Sequence, residues 1–373
     1  MKLRKTEARW IESRNRWQIN VTNENGERKT FASEVGLRTR KGKLQAERKA
    51  DDWLYSNSTK VTDRVGTLFA EYIGSLKLTT SEAHWRQYQS YGKNWIVEPL
   101  GRRKIGSITV GDCKDVIARA NAAGLSKKSQ QNIRSCLGGF IRYCRDHNKT
   151  DLWYEKLTIS KSAKVGKRYV LNEEEIKVLF QPYESWYIHA FRFLLLTDLR
   201  PGELMGLKWE DVSGDTITVH RAVNDLYSVT DGKNFNAHRS LKLISYAQEE
   251  LKAQKAMLKK DGMLSPWVFP SPSGAPMPQD HFRRQWYLYC EEVGIGRRGE
   301  TNDGNPRYIT PYEFRHTNYS LNKDMPEGLK KMAFGHSRQF DGDAVYSHEM
   351  EGDRDRIMQY NTAAFDKILS TKK

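Results

Sequence analysis

Hydrophobic and polar residues alternate in three short runs between residues 8 and 31, a pattern typical of short β-strands. The alternation covers residues 8–11, 17–21 and 30–31, and turn-forming residues at 13–15 and 23–26 separate the three runs. A helical pattern follows over residues 41–55, with Leu44, Ala50, Trp53 and Leu54 as its apolar side. The sequence therefore predicts a small module at residues 1–55, made of a three-stranded sheet and one helix.

Residues 60–155 carry apolar side chains at helical spacing, as in Val65, Leu68, Phe69, Tyr72 and Ile73. Helix starts are indicated at Thr80–Glu82, at Val110–Asp112 and at Ser126. We expect a helical bundle here, followed by a basic interdomain linker over residues 156–169. The basic residues predicted to contact nucleic acid in these two segments are Arg86, Lys93, Lys127, Lys128, Arg134, Lys164, Lys167 and Arg168.

A further domain is predicted over residues 170–373. It starts at Asn172, which with Glu175 has the spacing of a capping box. Strands are predicted at 216–219 and 241–244, and helices at 186–197, 246–260, 279–293 and 311–323. The predicted fold class is a multidomain protein, mainly α with small β-sheets, whose last domain is mixed α/β.

The positive charge is confined to the first half of the chain. The 373 residues carry a net charge of +16, divided as +6 over residues 1–55, +12 over 56–168 and −2 over 169–373. Solubility would not require such segregation, whereas a polyanion partner explains it. We therefore expect the N-terminal half to bind nucleic acid.

Other classes of protein are disfavoured by composition. No apolar run approaches the length of a membrane span, and the first ten residues lack the apolar core of a secretory signal. The four cysteines are scattered and form no CxxC pair, so reduced thiols in a cytoplasmic protein are expected. No His, Cys or carboxylate cluster has metal-ligand spacing, so no metal or other cofactor is expected.

Four short segments of the last 175 residues contain residue types suited to phosphate chemistry. Arg200 precedes Pro201, so it should lie at a helix entrance, where a guanidinium and the helix N-terminus both favour an anion. Lys233 lies on a predicted hairpin, and Tyr312 and Arg315 are three residues apart, on one face of a helix. Gly335–Ser337 and Tyr346 complete the set. Each segment alone is more often an ordinary structural feature than a site.

In combination, the order Arg200, Lys233, Tyr312-x-x-Arg315, Gly335-His336 and Tyr346 resembles the catalytic domain of the tyrosine recombinases, the lambda-type integrases of phages and mobile elements. The runs Leu207–Val212 and Trp267–Gly274 resemble that family as well. The likeness is strong over residues 170–350 and looser over 60–155, which resembles a core-site DNA-binding domain. Residues 1–55 resemble an arm-type DNA-binding domain.

The resemblance implies a mechanism without metal or ATP. Tyr346 would attack phosphorus and form a 3′-phosphotyrosine, while Arg200 and Arg315 would stabilise the charge of the transition state. Lys233 would protonate the leaving 5′ oxygen, and His336 would hydrogen-bond the phosphate. Tyr312 is the main departure, because the family usually has histidine there. A tyrosine can donate a hydrogen bond but is not a cation near neutral pH, so it should mainly position the phosphate.

The family resemblance also implies partners. These are double-stranded DNA with core and arm sites, a homotetramer on two duplexes, and an excisionase or a DNA-bending host factor. The tail after Tyr346 (Ile357, Met358, Tyr360, Phe365 and Ile368) would pack as a helix on a neighbouring protomer or on its own domain.

Three alternatives stay open at this stage. A type IB topoisomerase uses the same tyrosine chemistry but relaxes supercoils as a monomer, and the arm-like N-terminal module argues against it. A DNA-binding regulator with a degenerate catalytic domain is supported only by Tyr312. An invertase-like or resolvase-like role within the family is also possible.

Overall fold

The computed structural model describes residues 4, 6–23, 26–58, 63–224, 226–231, 238–301, 304–334, 350 and 352–370. The chain forms two compact units, Met1–Gly166 and Lys167–Lys373.

The first unit begins with a three-stranded antiparallel sheet of order β1-β2-β3 and a helix packed on it. The strands are β1 (Arg9–Ile11), β2 (Arg16–Thr22) and β3 (Arg28–Ala32), and the helix is α1 (Arg40–Ser58). Their small core consists of Ala8, Ile19, Val21, Ala46, Ala50 and Leu54. The sheet-plus-helix module is as predicted, but Leu44 is exposed. The buried side of α1 repeats every four residues from Ala46, and Leu44 lies about 200° around the helix from that position.

A helical bundle makes up the rest of the first unit. Its helices are α2 (Val65–Thr79), α3 (Glu82–Gly92), α4 (Glu98–Leu100), α5 (Val110–Ala122) and α6 (Lys127–Asp146). A π-helical stretch, Lys93–Val97, joins α3 to α4. Thr109 and Asp112 cap α5 reciprocally, and the Ser126 side chain caps α6. Ser81 lies at the N-cap of α3 as predicted, but its side chain makes no capping hydrogen bond.

The basic segment after this bundle is attached to it. Leu157 and Ala163 are buried, and Leu157 belongs to the bundle core. The Arg134 guanidinium donates to the Leu157 carbonyl at 2.9 Å, and the backbone N–H of Lys127 donates to the Lys164 carbonyl at 2.7 Å. Most of the predicted linker is therefore fixed along the bundle.

The second unit combines helices with short strands. Its helices are α7 (Glu173–Leu179), α8 (Ile188–Leu196), α9 (Pro201–Met205), α10 (Ser245–Lys260), α11 (Gln279–Val293), α12 (Glu313–Leu321), α13 (Glu327–Ala333) and α14 (Asp353–Leu369). Its strands are β4 (Val212–Ser213), β5 (Thr216–Val219), β6 (Arg221–Val223), β7 (Val229–Asp231), β8 (Arg239–Lys242), β9 (Arg297–Glu300) and β10 (Pro306–Tyr308).

The described strands pair antiparallel, as a β4-β5-β8 sheet and the two ribbons β6-β7 and β9-β10. The predicted capping box at the start of α7 is confirmed, with both Asn172–Glu175 bonds at 2.9 Å. The strand predicted at 241–244 is displaced by two residues, because Leu243 and Ile244 are buried where the chain turns into α10.

The core of the second unit surrounds α8. Trp286 of α11 is fully buried, stacks edge-on against Phe314 at 4.6 Å, and donates from Nε1 to the Ile309 carbonyl at 2.6 Å. Asn318 of α12 donates to the Leu195 carbonyl at 2.9 Å. These contacts hold α12 against the C-terminal end of α8, and this junction positions the site described below.

The C-terminal helix packs on its own unit. Phe365 and Ile368 of α14 are buried in the core around α8, and Asn361 donates to the Leu196 carbonyl at 2.9 Å. Of the two placements expected for the tail, the structure has the one within the same chain.

The predicted fold class is confirmed, a mainly α multidomain chain with small antiparallel sheets. Among the described residues, no helix is both long and apolar enough to cross a membrane.

Candidate active site

Three of the six predicted catalytic residues lie in the described part of the chain: Arg200, Tyr312 and Arg315. Lys233, His336 and Tyr346 lie outside the described residues. The structure thus describes the arginine side of the candidate site.

Arg200 stands at the helix entrance that Pro201 predicts. It is the N-cap of α9, with extended backbone angles and Pro201 in the first turn. Its backbone N–H donates to Glu203 Oε2 at 3.0 Å, and its guanidinium Nη1 donates to Glu203 Oε1 at 2.7 Å. One carboxylate therefore fixes both the backbone and the side chain of Arg200.

A second arginine, Arg239, holds the same carboxylate. From the start of β8 it donates through Nη1 to Glu203 Oε1 at 3.2 Å and through Nη2 to Oε2 at 2.8 Å. Glu203 is only 4% exposed. Burial alone would raise its pKa, but the charge and hydrogen bonds of Arg239, with the bonds from Arg200, lower the pKa to about 2. Glu203 is therefore ionised at neutral pH.

Arg315, on α12, is 4% exposed, and its side chain reaches Asp198, two residues after the end of α8. Its Nη1 donates to the Asp198 carbonyl, and its guanidinium lies 5.0 Å from the centre of the Phe334 ring. Its Nη2 has no hydrogen-bond partner among the described residues. Burial, and then the charge of Arg200, lower the pKa of Arg315 to about 10, so it stays protonated at neutral pH.

Asp198 occupies a strained and buried position, close enough to Arg315 and Arg239 for their charges to act on it. Its φ of 57° lies in the left-handed region that non-glycine residues seldom adopt. The side chain is buried, and its Oδ1 has no hydrogen-bond partner within the described part of the chain. Burial raises the pKa of Asp198 to about 7, against the opposing charges of Arg315 and Arg239.

Tyr312 differs from Arg315 in its surroundings. It precedes α12 and is 48% exposed, and its ring meets that of His316 edge-on at 5.6 Å. Burial and the charge of Arg168 lower the pKa of His316. The phenol is thus accessible, next to an imidazole whose neutral form is favoured.

Asp198 and Arg239 were not proposed as site residues from the sequence. Asp198 comes two residues after the apolar end of α8, and a carboxylate at such a place is a weak sign of a buried charge. Arg239 begins a short strand and carries no local sign of its function. Among the described residues, no group of three or more His, Cys, Asp or Glu side chains could hold a metal ion.

Residues 169–349 match the model of the phage integrase family. This match covers most of the second unit. Together with the structural matches, this confirms the prediction of a tyrosine recombinase of the lambda-integrase type. No curated protein matches the chain in sequence.

Solved structures of integrases share the fold of the chain. A Tn1549 transposon integrase in complex with transposon right-end DNA matches with a TM-score of 0.62 at 19% identity, over 80% of this chain and 99% of that one. A lambda integrase dimer bound to a core site matches with a TM-score of 0.59 at 16% identity, over 94% and 99%. A lambda integrase tetramer on a Holliday junction matches with a TM-score of 0.59 at 14% identity, over 92% and 98%. The integrase fold therefore extends beyond the second unit.

Most of the side chains predicted to bind DNA are exposed. The exposed ones are Arg86, Lys93, Lys127, Lys128, Lys164, Lys167 and Arg168. Arg86 is also bonded to Glu82 at 2.7 Å. Arg134 is half-buried and bonded to the Leu157 carbonyl, so it fixes the basic segment in place. We therefore expect Arg134 to act on DNA binding through this segment, whereas the other seven can reach phosphates directly.

Tyr312→Phe is expected to slow strand cleavage by about tenfold or more, since the loss of one hydrogen bond to a charged oxygen costs about 1.5–3 kcal/mol. Single-turnover cleavage of a nicked DNA substrate measures this. Tyr183→Phe, which removes the hydroxyl that donates to Glu292, is the matched control and should cleave normally. An unchanged rate in Tyr312→Phe would show that the hydroxyl does not contact the phosphate.

Proposed function

We propose that this chain is a site-specific recombinase that cleaves and rejoins DNA strands, and so integrates or excises a phage or another mobile element. The observation that carries the proposal is a pair of arginines in the unit that matches the phage integrase family. Arg200 stands at a helix entrance, and Arg315 is buried, with a pKa that burial and the charge of Arg200 lower. Two guanidinium groups held by the fold are suited to the non-bridging oxygens of a phosphodiester.

In the proposed reaction the Tyr346 hydroxyl gives up its proton, with His336 assisting the transfer, and its oxygen attacks phosphorus while the bond from phosphorus to the 5′ oxygen breaks. The products are a 3′-phosphotyrosine and a free 5′ hydroxyl, which receives its proton from Lys233. Arg200 and Arg315 stabilise the added charge of the transition state, and Tyr312 and His336 hydrogen-bond the phosphate. Attack by the 5′ hydroxyl of a partner strand reverses these steps and exchanges the strands.

DNA affinity is assigned to the first unit. The excess positive charge lies in residues 1–168, so binding should depend mainly on phosphate contacts and weaken with salt. We propose an arm-binding domain at 1–55, a core-binding domain at 60–155, a basic segment at 156–169 and a catalytic domain at 170–373. Two clusters of apolar residues, one in the sheet module and one in the helical bundle, support this division.

The proposed working form is a homotetramer on two DNA duplexes, supported by the lambda integrase tetramer whose fold the chain shares. Its location would be the bacterial cytoplasm, at the nucleoid, because DNA is the partner. An excisionase or a DNA-bending protein is proposed as an accessory factor.

The deciding experiment traps the covalent intermediate. The protein is incubated with EDTA and a DNA duplex that carries a nick close to a candidate core site. After cleavage the short fragment with the free 5′ hydroxyl diffuses away, so the strand cannot be rejoined and the adduct accumulates. Denaturing electrophoresis detects the adduct, and mass spectrometry of its nuclease-treated and protease-treated form identifies the modified peptide. We expect a nucleotide joined to Tyr346 through its 3′ phosphate.

Each other outcome has a defined meaning. An adduct on another tyrosine would reassign the nucleophile. Relaxation of supercoiled plasmids without exchange between two sites would indicate a topoisomerase. Specific DNA binding with no adduct on any element end would support the regulator and contradict the recombinase.

A further inference from the structure

The Glu203 carboxylate lies between two arginines, and only one of them was predicted to contact phosphate. We infer that Arg239 is a positioning residue for strand cleavage, which acts through Glu203 to hold the Arg200 guanidinium and leave its charge available to the phosphate. The inference rests on the proposed function.

Arg239 itself is not placed to bind DNA. Both of its Nη atoms are engaged by the two oxygens of Glu203, and its side chain is only 9% exposed. Its Nε is buried and has no hydrogen-bond partner among the described residues. The hydrogen bonds of Arg239 can therefore affect cleavage only through Glu203.

Glu203 transmits such an effect to Arg200. Each carboxylate oxygen accepts one bond from Arg200 and one from Arg239, so a change in the position of the carboxylate moves the Arg200 backbone and side chain together. The two arginines come from different elements, α9 and β8. The carboxylate thus connects the helix entrance to the strand that starts six residues after Lys233.

The charges of the group give Arg239 a second effect. An ionised Glu203 next to Arg200 alone would make a neutral pair, and little positive charge would remain for a phosphate. Arg239 adds the second positive charge, so the three side chains together carry a net +1. Because Glu203 is buried, solvent screens the interaction between its charge and those of the two arginines only weakly.

The test is a double-mutant cycle in which uncharged glutamine replaces each charged side chain: Arg239→Gln, Glu203→Gln and the double variant. Arg239→Gln is expected to cleave a nicked substrate about 100-fold more slowly at saturating protein. The double variant also lacks the negative charge, so it should recover at least tenfold relative to Arg239→Gln. A purely structural contribution predicts the opposite, because the double variant loses more native contacts than the single one.

Arg298→Gln is the matched control, because Arg298 holds the partly buried Glu175 with bonds of 2.8 and 2.5 Å in the same unit. It should lower the melting temperature and leave the cleavage rate of the folded protein unchanged. If Arg239→Gln does not fold, Arg239→Lys replaces it. Lysine keeps the charge but cannot engage both oxygens in the same way, so it should cleave about tenfold more slowly.

Wild-type cleavage by Arg239→Gln or Arg239→Lys, or a double variant slower than Arg239→Gln, would overturn the inference. The proposed function would survive each of these results, since wild-type protein would still form the adduct. Absence of an adduct with wild-type protein would instead contradict the proposed function.

Discussion

Arg315→Lys is expected to slow strand cleavage by about a thousandfold, with DNA affinity changed by less than about tenfold. Nη1 of Arg315 donates to the Asp198 carbonyl, and Nη2 has no hydrogen-bond partner among the described residues. A lysine ammonium is a single point of charge and cannot keep the carbonyl contact while it offers a second donor in the same plane. The loss of one preorganised donor costs about 10²–10³ in rate, and the loss of a transition-state arginine about 10³–10⁵.

Single-turnover cleavage of the nicked substrate measures the rate, and binding is measured at the same salt concentration, because phosphate contacts vary with salt. Arg192→Lys is the control. Arg192 is likewise buried and donates to two carbonyls, those of Leu179 and Gln181, at 2.8 and 2.5 Å. It should lose stability and keep the cleavage rate. Near wild-type cleavage by Arg315→Lys would show that Arg315 supports the fold only.

The local features predicted correctly from the sequence are those that depend on near neighbours. Pro201 alone indicates that Arg200 enters a helix, and Asn172 with Glu175 specifies the start of α7. Both features involve residues at most three positions apart, so local backbone geometry determines them.

The tertiary contacts that hold the residues of the site were not predicted, although Arg315 itself was. Arg239 meets Glu203 across 36 positions, and Arg315 meets the Asp198 carbonyl across 117. No periodicity or spacing in the sequence encodes such pairs. The displaced β8 strand has the same origin, since the burial of Leu243 and Ile244 is decided by the turn into α10. The burial of Asp198 is tertiary as well, and it leads to a stability prediction.

Asp198→Asn is expected to stabilise the protein by about 2–4 kcal/mol at pH 8 and by less than half of that at pH 5. Burial raises the pKa of Asp198 to about 7 from an ordinary value of 3.8. Between these two values the folded protein binds a proton that the unfolded chain does not bind, so stability falls as the pH rises towards 7. Above pH 7 the full cost of the buried charge is present.

Asparagine removes that cost and suits the position. It is uncharged at every pH, it has nearly the shape of the protonated aspartic acid, and it is one of the few side chains that tolerate the φ of 57° found here. The carbonyl that accepts from Arg315 belongs to the backbone and is retained. Cleavage by the variant should therefore stay close to the wild-type rate.

Urea unfolding of both proteins at pH 5 and pH 8 measures the difference. Asp324→Asn, at an exposed carboxylate, is the control and should show the same small change at both pH values. An equal effect of Asp198→Asn at the two pH values would mean that Asp198 is ionised throughout, stabilised by Arg315 and Arg239. A larger gain at pH 8 would show that the fold tolerates a destabilising carboxyl where the backbone carbonyl of the same residue holds Arg315.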